Sequence, residues 1–157
     1  MKVLTSNWFE CKISHEKTDE SGVLKRVKEK YVVPACSHSD AEERIIEEMS
    51  AYGCRGLEVK GIVPAQYKEI FLYEAGYGDE AKWYKAKVHF ITLDEKTEKE
   101  KITTVYYLVQ GTTLLNACKN LQESMKSSLI DYVIVGLNEQ PIIEVFTEEK
   151  QSKDAEK

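Results

Sequence analysis

The sequence predicts an α+β fold: a tandem duplicated β-β-α-β-β repeat with antiparallel sheets, one helix per repeat and a pseudo-twofold relation between the halves. Three observations carry this. The stretch NWFECKISH, residues 7–15, is echoed by KWYKAKVHF, residues 82–90. Each echo is followed, in the same order, by a strand-like run, a capped amphipathic segment and a β-branched, aromatic-rich run broken by proline. The matched positions keep one spacing along the chain and slip by single residues only where loops are expected.

The matches run the length of the chain. Trp8, Phe9, Cys11, Lys12 and Ile13 answer to Trp83, Tyr84, Ala86, Lys87 and Val88, and Tyr31, Val32 and Val33 answer to Tyr107, Leu108 and Val109. Ala41, Ile45, Glu47 and Met49 answer to Ala117, Leu121, Glu123 and Met125. Val59, Gly61, Ile62, Glu69, Ile70 and Phe71 answer to Ile134, Gly136, Leu137, Glu144, Val145 and Phe146. The expected organisation is a first repeat over 1–73, a glycine-containing linker EAGYGDEA over 74–81, a second repeat over 82–147 and a polar tail over 148–157. One repeat alone is small for an independent core, which favours halves that pack together.

Each element has a local reason. Residues 8–15 alternate, with Phe9, Cys11 and Ile13 on one face and Trp8, Glu10 and Lys12 on the other, the period of a half-buried strand. The polar run HEKTDESG then predicts a long hairpin loop, and residues 23–33 the returning strand, which Pro34 stops by removing a ladder donor. Ser37 with Asp40, and Thr113 with Asn116, predict hydroxyl N-caps; Ser39 with Glu42 is a competing cap in the first copy. Ala41, Ile45, Met49 and Tyr52 form one apolar helical stripe, ended by Gly53. The runs GLEVKGIVPAQYKEIFLY and DYVIVGLNEQPIIEVF each predict two strands around a turn or bulge near Gly61 and Pro64, or Gly136 and Pro141.

Composition narrows the function classes. The chain is 42% hydrophobic and 31% charged, a globular rather than disordered balance. Neither a signal-peptide run nor a stretch approaching the ~20 apolar residues of a membrane span is present, so a cytoplasmic protein with no membrane partner is expected. Four cysteines, Cys11, Cys36, Cys54 and Cys118, form no C-x-x-C pair. His15, His38 and His89 have no partner at ligand spacing. No metal site and no cofactor are expected. The net charge of −5 argues against nonspecific duplex-DNA binding.

The pattern WFECK, then a YVV strand, a helix opening SxxDAEERIIEEM and later KWYKAKVHFITLDE resembles an uncharacterised domain-of-unknown-function family of Bacteroidetes and their mobile elements. The resemblance covers nearly the whole chain. It implies no activity and carries over no catalytic or binding residue.

The non-helix face of the leading strand of each repeat holds the most chemistry. Trp8 and Lys12 in the first copy, and Trp83, Lys85 and Lys87 in the second, are expected to point away from the helix. An aromatic flanked by lysines on a sheet suits single-stranded nucleic acid, with bases stacking on the ring and phosphates meeting the amines. Lys25, Arg26 and Lys28, with Lys30, add a basic cluster in the first hairpin, matched by Lys96, Lys99 and Lys101 in the second. Charged hairpins also guard edge strands against aggregation, and tryptophans on such faces also pack against apolar surface. The β-β-β-β-α order that spans the junction of the repeats is also that of the PUR and Whirly single-strand binders, an analogy of topology alone.

These features predict a non-catalytic binding protein, monomer or homodimer. Its partner is single-stranded nucleic acid or, alternatively, another protein, in a regulatory module of a mobile element. No enzyme is expected. Glu69 and Glu144 are the repeat-matched carboxylates that acid–base chemistry would need, but solvent-facing strand carboxylates are common.

Overall fold

The computed structural model describes residues 1–148; the expected polar tail, Glu148 apart, lies outside the described residues. In chain order the elements are β1 (Lys2–Leu4), β2 (Trp8–Thr18), β3 (Leu24–Pro34), α1 (His38–Ala51), β4 (Arg55–Ala65), β5 (Tyr67–Leu72), a 3-10 turn at Gly78–Glu80, β6 (Lys82–Leu93), β7 (Glu100–Gly111), α2 (Leu114–Ser124), β8 (Asp131–Gln140) and β9 (Ile142–Val145). From β2 onward this is β-β-α-β-β twice over, consistent with the repeat. β1 was not foreseen; it is a short edge strand paired antiparallel with β5.

The strands form a five-stranded sheet, β1-β5-β7-β6-β8, and a four-stranded sheet, β4-β2-β3-β9. The last strand of each half therefore leaves its own sheet. β5 lies parallel to β7, and β9 lies parallel to β3. The expectation of purely antiparallel sheets is corrected at these two ladders. The break falls at Gln66 and at Pro141, where the chain passes from one compact unit to the other. One unit comprises residues 1–5 and 66–141, the other residues 6–65 and the described residues from Ile142. Sequence repeats and compact units thus divide the chain differently.

The helix caps form as the side chains dictate. Ser37 Oγ accepts from Asp40 N–H at 3.1 Å while Asp40 Oδ2 accepts from Cys36 N–H at 2.9 Å. Thr113 Oγ1 and Asn116 Oδ1 repeat the reciprocal pair at 3.0 Å each. Ser39 is not the cap, because it already lies within α1. Gly53 takes a left-handed φ of 71° just past α1, closing the helix as expected.

The hairpin between β2 and β3 is tighter than the polar run suggested. The strands extend to Thr18 and from Leu24, since Asp19 turns the chain itself: its carboxylate accepts from Ser21 N–H at 3.0 Å and Val23 N–H at 2.9 Å, with Gly22 at φ 83°. In the four-stranded unit α1 packs Ile45 and Met49 on one sheet face over Cys11, Ile13 and Val33. In the five-stranded unit α2 packs Leu121 over Ala86, Val88, Tyr107 and Val109. α2 comes so close to β7 that a Cβ on Gly111 would lie 2.8 Å from the Ala117 backbone nitrogen.

Candidate functional site

The tryptophans are not open platforms. Trp8 is 3% exposed and Trp83 4%. Trp8 Nε1 is buried without a hydrogen-bond partner among the described residues. Both indoles do alternate away from the helix-covered cores, as expected, but the sheet at that end is out of water on both faces. Tyr31–Pro34 and Tyr107–Gly111 are buried at every position, the pattern of strands covered on both sides. A base has no ring face to stack on there.

The expected cations fall into two groups, one per unit. Lys12 is exposed on the free face of β2, opposite Lys30, which pairs with Glu10 at 3.5 Å. Lys25 pairs with Asp19 at 3.5 Å; Arg26 donates to Gly56 O at 2.7 Å and pairs with Glu58 at 3.1 Å. Lys28 is exposed. In the other unit Lys87 is exposed, and Lys85 Nζ lies 4.7 Å from the Tyr106 ring centroid and 6.0 Å from that of Tyr67. That cation already occupies an aromatic face. Glu69 lies on β5 opposite Tyr107, while Glu144 accepts from the Tyr52 hydroxyl at 3.1 Å in the other unit.

Two arrangements escaped the sequence. The first is polar and internal. His15 Nε2 and Glu29 Oε1 share a short hydrogen bond in the α1-side core, and the Tyr31 hydroxyl donates to the same oxygen at 3.2 Å. Desolvation, then the nearby Glu29 carboxylate, raises the pKa of the Tyr31 phenol. Desolvation and Glu29 also raise that of the half-buried Cys54 thiol, against a smaller opposing pull from Lys17. The strand registers Ile13↔Glu29 and Val88↔Val105 show that the other unit carries Phe90 and Val105 at the corresponding places. Among the described residues no cluster of three or more His, Cys, Asp or Glu could hold a metal ion.

The second arrangement is an open edge. β4 and β8 are equivalent outer strands, each pairing its unit's leading strand on one side only, and each with a bulge where it meets Lys12 or Lys87. On β4 the exposed positions include Glu58 and Lys60, paired at 2.5 Å, with Val63 and Pro64 near the end. Arg26 beside it and Lys60 hold the Glu58 carboxyl below its usual range, Lys60 contributing most. Charges, a bulge and a proline are the devices that keep an edge from pairing. By register, β8 has Val133, Val135 and Glu139 at the places of Glu58, Lys60 and Pro64. Val133 is 47% exposed and Val135 45%; Leu129 and Ile130 just before the strand are 101% and 47% exposed. The contrast extends over the same face: Arg26 and Glu16 of the four-stranded unit correspond to Ile102 and Ile91. Ile102 is 57% exposed and Leu93, farther along that face, 65%.

The arrangement offers main-chain donors and acceptors along β8 beside an apolar strip. Comparison with known proteins adds a family and no activity. No curated protein and no solved structure matches the chain. The family described as Domain of unknown function (DUF4494) matches residues 7–148, nearly all of the chain, and the protein belongs to that family.

Proposed function

We propose that this protein is a non-catalytic protein-binding module that receives an extended strand of another polypeptide on the free edge of β8. The observation that carries the reading is the exchange of Glu58, Lys60 and Pro64 on one outer strand for Val133, Val135 and Glu139 on its equivalent. Strand addition draws affinity from main-chain hydrogen bonds and selectivity from alternate side chains. β8 supplies unpaired main chain, and Val133 and Val135 supply an apolar strip that strand addition removes from water.

The test is a displayed library of extended peptides selected on the full chain and re-assayed on a Val133→Glu/Val135→Lys double variant. That variant installs the charged pair the β4 edge already carries, so the strand geometry accommodates it. Recovered peptides are expected to alternate apolar residues and to lose at least tenfold in affinity for the variant. Equal binding to both proteins refutes the assignment to β8. The nucleic-acid reading keeps its exposed lysines but has lost its indole platform. Salt-sensitive anisotropy shifts of a labelled single strand, abolished by Lys85→Gln with Lys87→Gln, would restore it over strand addition.

A further inference from the structure

The strand-addition reading, on which the present step rests, leaves open what occupies the edge. We infer that the occupant is a second copy of this chain, pairing β8 with β8 in antiparallel register about a twofold axis through Val133.

The register follows from side-chain direction. In an antiparallel pair, residues directly opposite share a face. On β8, Tyr132 and Ile134 face the α2 side, opposite Phe90 and Val88, while Asp131 and Val133 face the other side, opposite Ile91 and His89. The bulge at Val135 and Gly136 breaks this alternation. Self-pairing that keeps every face matched is therefore longest when Val133 meets Val133, Tyr132 meets Ile134 and Asp131 meets Val135 over residues 131–135. An axis through Ile134 would set Tyr132 against Gly136, on opposite faces. The bulge that ends the run also limits the pairing to one short, closed contact rather than an open-ended ladder.

Charge agrees with this alignment. Within residues 131–135 the only ionisable acid or base besides the Tyr132 phenol is Asp131, and it meets Val135 rather than a second carboxylate. A self-complementary patch related by a twofold is the usual form of a closed homo-oligomeric interface. The chain's own residues 149–157, EKQSKDAEK, have no alternating apolar pattern with which to fill the edge instead.

The test uses the full chain with Cys36→Ser, which removes the exposed thiol, and adds Val133→Cys. Directly opposed residues in an antiparallel pair have Cα atoms about 4.5–5.5 Å apart, inside the roughly 4.4–6.8 Å range that a disulfide spans. Mild oxidation is expected to give a covalent dimer at least tenfold faster than in a Val63→Cys control on β4, whose side chain is 53% exposed. Sedimentation equilibrium is expected to find the parent dimeric and Val133→Glu/Val135→Lys monomeric, with unchanged circular dichroism. Equal cross-linking rates, or a dimer that survives the double variant, overturn the inference. A parent monomeric across the accessible concentrations overturns it too. In that last case the peptide selection still reports separately on whether β8 takes a foreign strand.

Discussion

Exchanging the buried polar pair His15 and Glu29 for the residues of the other half, Phe and Val, gives a sharp test of what that pair does. His15 is 6% exposed and the Glu29 side chain 13%, so removing either partner strands the other in the core. His15→Phe leaves the Glu29 side chain with the Tyr31 hydroxyl, at 3.2 Å, as its remaining hydrogen-bond donor among the described residues. Leaving a buried hydrogen-bonded group without its partner costs about 1–3 kcal/mol, and the burial of Glu29 puts this case near 3. Glu29→Val strands the imidazole and the Tyr31 hydroxyl, an expected loss of about 2–3 kcal/mol. The double substitution removes both polar groups and returns apolar contact worth about 1.5–3 kcal/mol for the phenylalanine. That offsets the phenol left unpaired, so the double variant is expected within ~1 kcal/mol of the parent. The assay is urea unfolding followed by fluorescence in a Trp83→Phe background, where Trp8 alone reports. These losses imply a coupling energy of at least about 4 kcal/mol. If the single losses simply add in the double variant, the pair is not a coupled unit and the reasoning fails.

Three further outcomes follow from packing, titration and topology. Gly111→Ala pushes a methyl into the Ala117 backbone and is expected to cost about 1–3 kcal/mol; an unchanged urea midpoint would show that α2 can back away freely. Desolvation, then Glu10, pushes the Cys11 thiol from 9.0 up to about 12, so between those pH values the unfolded chain has lost a proton that the fold retains. Stability then falls as pH rises above about 9, by at most about 1.4 kcal/mol per pH unit for this group, and Cys11→Ala is expected to flatten that slope in urea titrations at successive pH values; an equally steep slope counts against it. Fragment 1–73 lacks β9 of its unit and fragment 74–157 lacks β1 and β5, because these strands sit in the sheet of the other half. Circular dichroism is expected to show little structure in each alone and recovery on mixing, whereas full folding of either alone contradicts the topology.

The repeat, the helices, their caps and the leading hairpins were legible because each is encoded locally. Alternation marks β2 and β6, and a hydroxyl three residues before Asp40 or Asn116 marks the helix starts. The strand exchange was not legible. Pro64 looked like the break, yet β4 runs through it, since an edge strand can place a residue without an N–H outside the ladder. Which sheet β5 and β9 join is a nonlocal choice that no window of sequence contains. The tryptophans were placed on the right face and their environment was left open: alternation fixes which way a side chain points, and not what lies beyond it. His15 and Glu29 are far apart in sequence and become neighbours only through the β2–β3 register. Setting the repeats side by side does carry a signal for them, because two polar residues stand where the second copy has Phe90 and Val105.

The two halves differ in a way that packing alone does not require. Apart from the His15–Glu29 pair, the core positions between helix and sheet hold the same kind of residue in both: Cys11 and Ala86, Ile13 and Val88, Ile45 and Leu121, Met49 and Met125. At the outer strands the halves part, and in opposite directions. Charge at Glu58 and Lys60 is the ordinary state of an exposed edge: it keeps the strand in water and turns other strands away. Valine at the matching places is costly in a strand left open, because apolar side chains beside unpaired main chain invite pairing with any extended segment. The β4 edge shows that this strand geometry accepts charges at those places. The strand geometry therefore does not require aliphatic residues at these places on β8, and a contact that covers them is the physical arrangement in which they stop being a liability.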